Sequence, residues 1–191
     1  MTALYMRGGK RIADVLFSIV AILTLLPVVL VIAVLVRAED RGPIIFRQLR
    51  VGRHLRLFGL LKFRSMHVGV GDRPSAESEG LAVTRIGRIL RRTNLDELPQ
   101  LLNILWGDMS IVGPRPALPT QHRLILLREE AGVYDVRPGL TGLAQVSSYD
   151  GMPDETKAAF DAAYLRGMSL FLDARIVGRT LGYLRRPPPV Y

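Results

Sequence analysis

Residues 15–36 read VLFSIVAILTLLPVVLVIAVLV and contain no charged side chain over 22 consecutive positions. As a helix rising about 1.5 Å per residue, this stretch would reach about 33 Å, which matches the roughly 30 Å hydrocarbon core of a bilayer. The buried helix of a soluble core is rarely this long and apolar on every side. The stretch therefore predicts a membrane segment.

A cleaved signal peptide is another interpretation of this stretch. Arg7, Lys10 and Arg11 would supply its basic start, and Val36-Arg37-Ala38 faintly resembles a cleavage site. The apolar run is too long for such a peptide, however, and an arginine in the cleavage site is unfavourable. We therefore expect the segment to be retained.

Pro27 lies near the middle of the segment, where it removes a backbone hydrogen bond and favours a kink. Basic residues flank both ends, so the positive-inside rule does not choose a side. They are Arg7, Lys10 and Arg11 before the segment and Arg37, Arg41, Arg47, Arg50, Arg53 and Arg56 after it. The residues alone leave two forms open: a spanning helix, and a re-entrant hairpin whose two helices of about 12 residues enter and leave on one side.

The chain of 191 residues fits one domain, and its 26 basic and 17 acidic side chains give a net charge of +9. An apolar content of 49% excludes global disorder, and the absence of cysteine excludes disulfides, thiolate metal sites and cysteine nucleophiles. Residues 1–100 carry 16 Lys and Arg against 8 Asp and Glu, so the positive charge collects there. Nucleic acid, anionic lipid and phosphorylated small molecules are all partners for such a surface.

The rest of the chain predicts a small β-hairpin followed by helices. Residues 44–66 alternate apolar and basic positions around a Val51-Gly52 turn, and residues 69–80 are typical of a surface loop. The helix predicted at 85–92 has an arginine-rich face that either meets solvent or rests on anionic headgroups. Amphipathic helices are predicted at 154–166 and 170–184, with Asp161 and Asp173 expected in ordinary helix-surface ion pairs.

Residues 93–116, TNLDELPQLLNILWGDMSIVGPRP, hold the most informative polar pattern. Pro99 disfavours the right-handed helical conformation at Leu98 and suits a first helical turn, which predicts a helix from near 98 to Gly107. Asp96 and Glu97 would then lie at its N-terminal end. One of two such carboxylates can hold Mg²⁺ while the other attacks phosphorus. The alternative is that both only complement the helix dipole.

Two arginines lie in turns that proline constrains. Arg115 lies between Pro114 and Pro116, and Arg137 precedes a Pro-Gly turn. A rigidly presented guanidinium suits the clamping of a phosphate, whereas the alternative for Arg115 is an ion pair with Asp108. The sequence has no histidine pair with metal-ligand spacing and no known nucleotide-binding loop.

Four ordered motifs resemble those of the bacterial sugar transferase family, the small monotopic phosphoglycosyl transferases. They are KRIADVLFS at 10–18 before the proline-interrupted segment, LKFRSM at 61–66, GRILRRTNLDELPQLLNILWGDMSIVGPRP at 87–116 and VRPGLTGLAQV at 136–146. The resemblance covers nearly the whole chain. The family often has Ser before the proline of the membrane segment, and this chain has Leu26 there.

The resemblance implies transfer of a sugar 1-phosphate from a UDP-sugar to undecaprenyl phosphate, with release of UMP, at the cytoplasmic face of the bacterial inner membrane. It implies a re-entrant membrane helix broken at Pro27. It further implies that Asp96 is the nucleophile of a covalent phosphosugar intermediate and that Glu97 binds the essential Mg²⁺. Substrate-binding roles are implied for Arg115, Lys62, Arg88, Arg137 and Asp161.

We therefore expect a mainly helical α+β fold with a membrane hairpin and its flanks at 1–40 and a catalytic domain at 41–191, forming one cooperative unit. Only 14 residues precede the apolar run, so no larger N-terminal membrane domain is expected. A lipid-binding module without enzymatic activity and a nucleic-acid binder are the competing classes. The basic residues beside the membrane segment and the absence of a nucleic-acid motif argue against the latter. A homo-oligomer is possible, and residues 69–80 and 117–134 are where sugar selection is expected.

Overall fold

A computed structural model describes residues 5–68, 83–147 and 152–183 of the chain, and within them the side chains of residues 6, 7 and 183 are not described. Of the described residues 63% are helical, so the fold is mainly helical, with a small antiparallel sheet. The predicted loop at 69–80 lies outside the described residues. The helices are α1 (Lys10–Asp40), α2 (Arg85–Thr93), α3 (Gln100–Trp106), α4 (His122–Glu130), α5 (Leu143–Val146), α6 (Asp154–Gly167) and α7 (Leu170–Tyr183), and the strands are β1 (Ile45–Val51), β2 (Leu57–Phe63), β3 (Ser110–Val112) and β4 (Gly139–Thr141).

Helix α1 contains the predicted membrane segment and runs for 31 residues through Pro27. It is long and apolar enough to cross a membrane, and only 11% of its most apolar 18-residue window is buried, which does not fit the helix of a soluble core. Its large exposed side chains are Ile12, Leu16, Phe17, Ile19, Val20, Leu23, Leu26, Val28, Leu30, Val31, Val34 and Leu35. Helix is assigned on both sides of Pro27 and at Pro27 itself, so the predicted break stays a prediction.

Both ends of α1 are bonded to the rest of the fold. Near its start, Asp14 is buried and its Oδ1 accepts a hydrogen bond from the backbone N–H of Ile111 at 2.9 Å. At its end, Asp40 pairs with the buried side chain of Arg64. Arg41 then adopts a left-handed conformation and donates its N–H to the carbonyl of residue 37, which ends the helix. One face of α1 therefore packs along the same folded body that holds both of its ends.

The predicted hairpin is confirmed as β1 and β2, which pair antiparallel with Phe46 opposite Lys62. A turn closed by the N–H of Gly52 and the carbonyl of Arg56 joins the strands. Strands β3 and β4 pair in parallel and bring the two proline-constrained segments together. A Cβ on Gly139 would lie 2.1 Å from the backbone nitrogen of Gly113, so this approach requires glycine.

The main core lies between α3, β3, α6 and α7. Its most buried apolar members are Ile104, Met109, Val112, Tyr164 and Ile176. Asn103 is fully buried beside them, where its Oδ1 accepts from the N–H of Leu61 at 3.0 Å and its Nδ2 donates to the carbonyl of Gly59 at 2.9 Å. This amide fixes α3 against β2 by replacing the hydrogen bonds that water would otherwise make.

Helix α3 begins two residues later than the predicted start near 98. Residues Leu95–Glu97 form a 3-10 turn, and Leu98 adopts the right-handed helical conformation that Pro99 was expected to disfavour. Leu98 adopts this conformation because it donates its N–H to the carbonyl of Leu95 and so closes the 3-10 turn. Gly107 ends α3 with a φ of 98°, as the predicted end requires.

Candidate active site

The two candidate carboxylates lie on a short connection between two helices. Helix α2 ends at Asn94, which has a φ of 55° and donates its N–H to the carbonyls of the preceding turn. The 3-10 turn follows at once, and it places Asp96 and Glu97 directly before Pro99 and α3. The residue Asp96 is only 7% exposed. The carboxylates are therefore fixed by a rigid turn and are not part of a regular helix.

Lys62 and Arg115 meet these carboxylates from separate parts of the chain. Lys62 projects from β2 and places its Nζ 2.9 Å from Glu97 Oε1 and 3.9 Å from Asp96 Oδ2. Arg115 places its Nη2 2.8 Å from the same Oε1 atom of Glu97. Two cations and two carboxylates thus share one small cluster, as expected of a site for anionic phosphates.

The two carboxylates differ in acidity because their surroundings differ. Burial raises the pKa of Asp96; Lys62 opposes this rise, Glu97 adds to it, and Arg115 and Arg91 oppose it more weakly. Burial also acts to raise the pKa of Glu97, but Arg115 and Lys62 outweigh it, so that pKa lies well below its ordinary value. Glu97 is therefore ionised at neutral pH, whereas the pKa of Asp96 lies above its ordinary value.

The loop that presents Arg115 is held through four successive carbonyls. Those of Pro114 and Arg115 accept from the N–H of Gly139 at 2.9 Å and from Arg128 Nη1 at 2.8 Å. The next two, of residues 116 and 117, accept from Arg50 Nη1 at 3.1 Å and from the N–H of Val51 at 2.9 Å. This supports the prediction of a rigidly presented guanidinium. The arginine pairs with Glu97, while Asp108 accepts a hydrogen bond from Asn103.

The structure does not bring the other three predicted substrate-binding residues into this cluster through any described contact. Asp161 is 1% exposed and pairs with Arg128. Arg137 donates from Nε to the carbonyl of Gly107 at 2.8 Å, and burial lowers its pKa. Arg88 lies on the exposed face of α2. Their substrate-binding roles stay predictions.

Asp161 and Asp173 were expected in helix-surface pairs, and this expectation is wrong because both are buried. Asp173 accepts hydrogen bonds from Tyr5, Lys10 and Tyr164, which tie the residues around the start of α1 to α6 and α7. Each aspartate has charged or hydroxyl partners that compensate the loss of water.

The sequence model of the family described as bacterial sugar transferase matches residues 5–186. The chain belongs to this family. It is 38% identical over 181 residues to the "UDP-glucose:undecaprenyl-phosphate glucose-1-phosphate transferase" of Klebsiella pneumoniae, covering 90% of this chain and 39% of that protein. It therefore spans about two fifths of that relative's length.

Other relatives of this bacterial sugar transferase are closer to it in length. The Caulobacter vibrioides protein with the same name is 41% identical over 181 residues, which cover 90% of this chain and 68% of that one. The "Exopolysaccharide production protein ExoY" of Rhizobium meliloti is 40% identical over 196 residues, which cover 91% of this chain and 85% of that one. The family assignment made from the four motifs is confirmed.

Two arginines of the bacterial sugar transferase site were not predicted as site residues. Arg91 donates from Nε to Ser65 Oγ at 2.9 Å, and its charge weakly opposes the rise that burial causes in the pKa of Asp96. Arg128 holds the Arg115 carbonyl from α4. The sequence placed Arg91 only on a generally basic helix face, and nothing local signals Arg128, whose partner Asp161 lies 33 residues away.

The donor set at the turn suits Mg²⁺ only together with a phosphorylated substrate. Asp96 and Glu97 supply hard carboxylate oxygens, and Mg²⁺ in proteins commonly takes one or two carboxylates and completes its shell with phosphate and water. Within the described ranges, no group of three or more His, Asp or Glu side chains could hold a metal alone. The residues present therefore fit an ion that arrives with a diphosphate.

Proposed function

We propose that this protein transfers a sugar 1-phosphate from a UDP-sugar to undecaprenyl phosphate and releases UMP, as the first membrane step of glycoconjugate or exopolysaccharide assembly. The observation that carries the proposal is the buried Asp96–Glu97 pair between Lys62 and Arg115. The names of the relatives support undecaprenyl phosphate as acceptor and UDP-glucose as the first donor to test.

In the first step, a carboxylate oxygen of Asp96 forms a bond to the phosphorus that carries the sugar. The bond between that phosphorus and the bridging oxygen of the diphosphate breaks, and its electron pair leaves with UMP. Because Asp96 is buried, its carboxylate sheds little water before it attacks. The sugar phosphate is then linked to Asp96 as an acyl phosphate.

In the second step, a phosphate oxygen of undecaprenyl phosphate forms a bond to the same phosphorus. The bond to the Asp96 oxygen breaks, which regenerates the carboxylate and yields undecaprenyl diphosphate sugar. Two successive displacements avoid the direct approach of two free anionic substrates. Lys62 beside Asp96 and Arg115 beside Glu97 supply positive charge for both displacements.

Glu97, with Asp96 beside it, would hold Mg²⁺ together with oxygens of the diphosphate, and the bound ion supplies charge neutralisation. Both cations of the cluster pair with the Oε1 atom of Glu97. The low pKa of Glu97 keeps this carboxylate ionised and ready to bind a metal through the whole neutral range. Arg115 remains close enough to contact the same diphosphate.

We also propose that α1 is re-entrant, with Pro27 at its bend and both ends on the cytoplasmic side of the inner membrane. The support is that Asp14 near one end and Asp40 at the other bond to the same folded body. A helix that crosses the bilayer would place these two ends on opposite sides of about 30 Å of hydrocarbon. A missing hydrogen bond at a proline lets a helix bend within the membrane.

Purified protein with Mg²⁺, undecaprenyl phosphate and a panel of UDP-sugars tests the reaction. We expect UMP release with at least one donor and its loss in Asp96→Asn, whereas Asp154→Asn, a surface aspartate paired with Lys157, retains it. With donor alone, intact mass spectrometry should show one sugar phosphate on the wild type. Persistent turnover in Asp96→Asn contradicts the nucleophile, and no release with any UDP-sugar contradicts the proposed donor class.

Single cysteines test the topology cleanly because the chain has none of its own. We expect Thr2→Cys and Arg56→Cys to react with a membrane-impermeant maleimide only after the cytoplasmic side is opened. A Thr2→Cys protein that is labelled from the periplasm alone contradicts the re-entrant form and supports a spanning helix.

A further inference from the structure

We propose that Arg128 and Asp161 are positioning residues for Arg115: their buried ion pair fixes the backbone from which the Arg115 guanidinium reaches the reacting phosphates. This inference rests on the proposed function and assigns Asp161 a role other than contact with substrate. The Arg128 and Asp161 residues are 3% and 1% exposed, so a substrate does not reach them without a rearrangement of the core.

The geometry of Arg128 divides its donors between two partners. Its Nε and Nη2 donate to Asp161 Oδ2 at 2.9 and 2.6 Å, and its Nη1 donates to the Arg115 carbonyl at 2.8 Å. A guanidinium holds its donors in one plane. Asp161, which binds Nε and Nη2, therefore also fixes the direction in which Nη1 points toward the Arg115 carbonyl. Asp161 on α6 thereby sets the direction in which Arg128 on α4 contacts the loop.

The Arg115 loop depends on donors from other elements, because the two prolines beside Arg115 have no N–H of their own. Pro114 and Pro116 have no N–H to donate, so the backbone from 114 to 116 is held chiefly through its carbonyls. Among these bonded carbonyls, the one that Arg128 holds belongs to Arg115 itself, the residue whose guanidinium is proposed to contact the phosphates. The Arg115 side chain, in contrast, is 46% exposed and contacts Glu97 at the cluster.

A displacement of the Arg115 carbonyl moves the guanidinium with it. Misplacement of a positioning group by about 1 Å can lower turnover by about a hundredfold. Arg128→Lys keeps a positive charge beside Asp161 but replaces the planar fork with a single ammonium, which cannot reproduce the three described hydrogen bonds in the same geometry. Arg128→Lys therefore keeps the counter-charge of Asp161 in the core and removes only the hydrogen-bond geometry that positions the loop.

A double-mutant cycle tests the proposal. We expect Arg128→Lys to lower kcat/KM about ten- to a hundredfold in the wild-type background and less than about twofold in the Arg115→Gln background, because the residue acts only through Arg115. Asp161→Asn should show the same dependence on Arg115. Lys157→Arg on α6, the helix of Asp161, lies in a surface pair with Asp154; it is the matched control and should keep full activity.

Hydrogen exchange supplies a readout that does not depend on turnover. We expect the amides of Gly139 and Val51, which donate to the carbonyls of residues 114 and 117, to exchange faster in Arg128→Lys than in Lys157→Arg, while the thermal midpoints of the two variants show that both are folded. Equal losses of kcat/KM in both Arg115 backgrounds, or unchanged exchange in a folded Arg128→Lys protein, overturn the proposal. If the wild type releases no UMP, the proposed function fails, and the exchange comparison still decides whether the ion pair holds the loop.

Discussion

Removal of the Lys62 charge should move the acid limit of the reaction toward neutral pH. Lys62 favours the ionised form of Asp96, whose pKa burial already raises. Without the ammonium, the pKa of Asp96 rises further because Glu97 remains beside it. The nucleophilic carboxylate is then lost at a higher pH as the solution is acidified. Lys62→Gln tests this prediction.

The distance of 3.9 Å between Lys62 Nζ and Asp96 Oδ2 sets the size of the effect. Two unit charges about 4 Å apart interact by about 4 kcal/mol at an effective dielectric constant of about 20. Since one pKa unit corresponds to about 1.36 kcal/mol, the full interaction equals about three units. Water and Arg115 replace part of it, so we expect the acid limb to move up by about one to three units.

The assay is the pH dependence of kcat/KM for UMP release between pH 5 and pH 9. We expect the deficit of Lys62→Gln relative to the wild type to grow as the pH falls, by up to about tenfold for each pH unit below the acid limb of the variant, until the wild type is protonated as well. Lys157→Gln is the control, because Lys157 lies in a surface pair with Asp154. A loss of equal size at every pH would refute the electrostatic reasoning and leave Lys62 as a substrate contact only.

Three further predictions concern other parts of the molecule. Asp173→Asn should lower the free energy of unfolding by about 1–3 kcal/mol, because it leaves the half-buried ammonium of Lys10 without its counter-charge, and chemical denaturation in detergent checks this. Leu23→Glu should lower the membrane-bound fraction in flotation with vesicles, whereas Leu126→Glu, an equally exposed leucine of α4, should not. Glu97→Gln should raise the Mg²⁺ concentration for half-maximal UMP release by at least tenfold, and an unchanged requirement would contradict metal binding by this residue.

The elements that the sequence predicts well are those with local signals. The hairpin around Gly52 has an apolar and basic alternation, and α3 has Pro99 near its start and Gly107 at its end. The amphipathic helices predicted at 154–166 and 170–184 appear as α6 and α7 with nearly the same bounds. In each case the residues that decide the conformation lie within one or two turns of one another.

The features that the sequence does not reveal depend on partners far along the chain. In the sequence, Asp161 and Asp173 resemble any other helical aspartate. Their partners, Arg128 and Lys10, are brought to them only by the fold. The convergence of Lys62 with Glu97 likewise joins residues 35 positions apart. The family resemblance named the residues of this cluster, but it did not distinguish them from Asp161, which is buried and pairs with Arg128.

The Asp96–Glu97 turn lies between two helices, α2 and α3, and each of these helices is bonded to one end of α1. Glu39 accepts hydrogen bonds from the N–H groups of Arg85 and Ile86 and so caps the start of α2, which leads directly into the Asp96 turn. At the other end, Arg11 donates to the carbonyls of residues 104 and 105 and so caps the end of α3, which leads directly out of that turn.

Loss of α1 would remove both of these contacts from the helices that flank the Asp96–Glu97 turn. We therefore expect residues 41–191 alone to lose the cooperative thermal transition of the full chain, and the amides of α2 and α3 to exchange there without protection. In the full chain, amides of α1, α2 and α3 should open together in a single global event as denaturant is added. A 41–191 protein with the same protection in α2 and α3 would show instead that the catalytic fold is independent of its membrane helix.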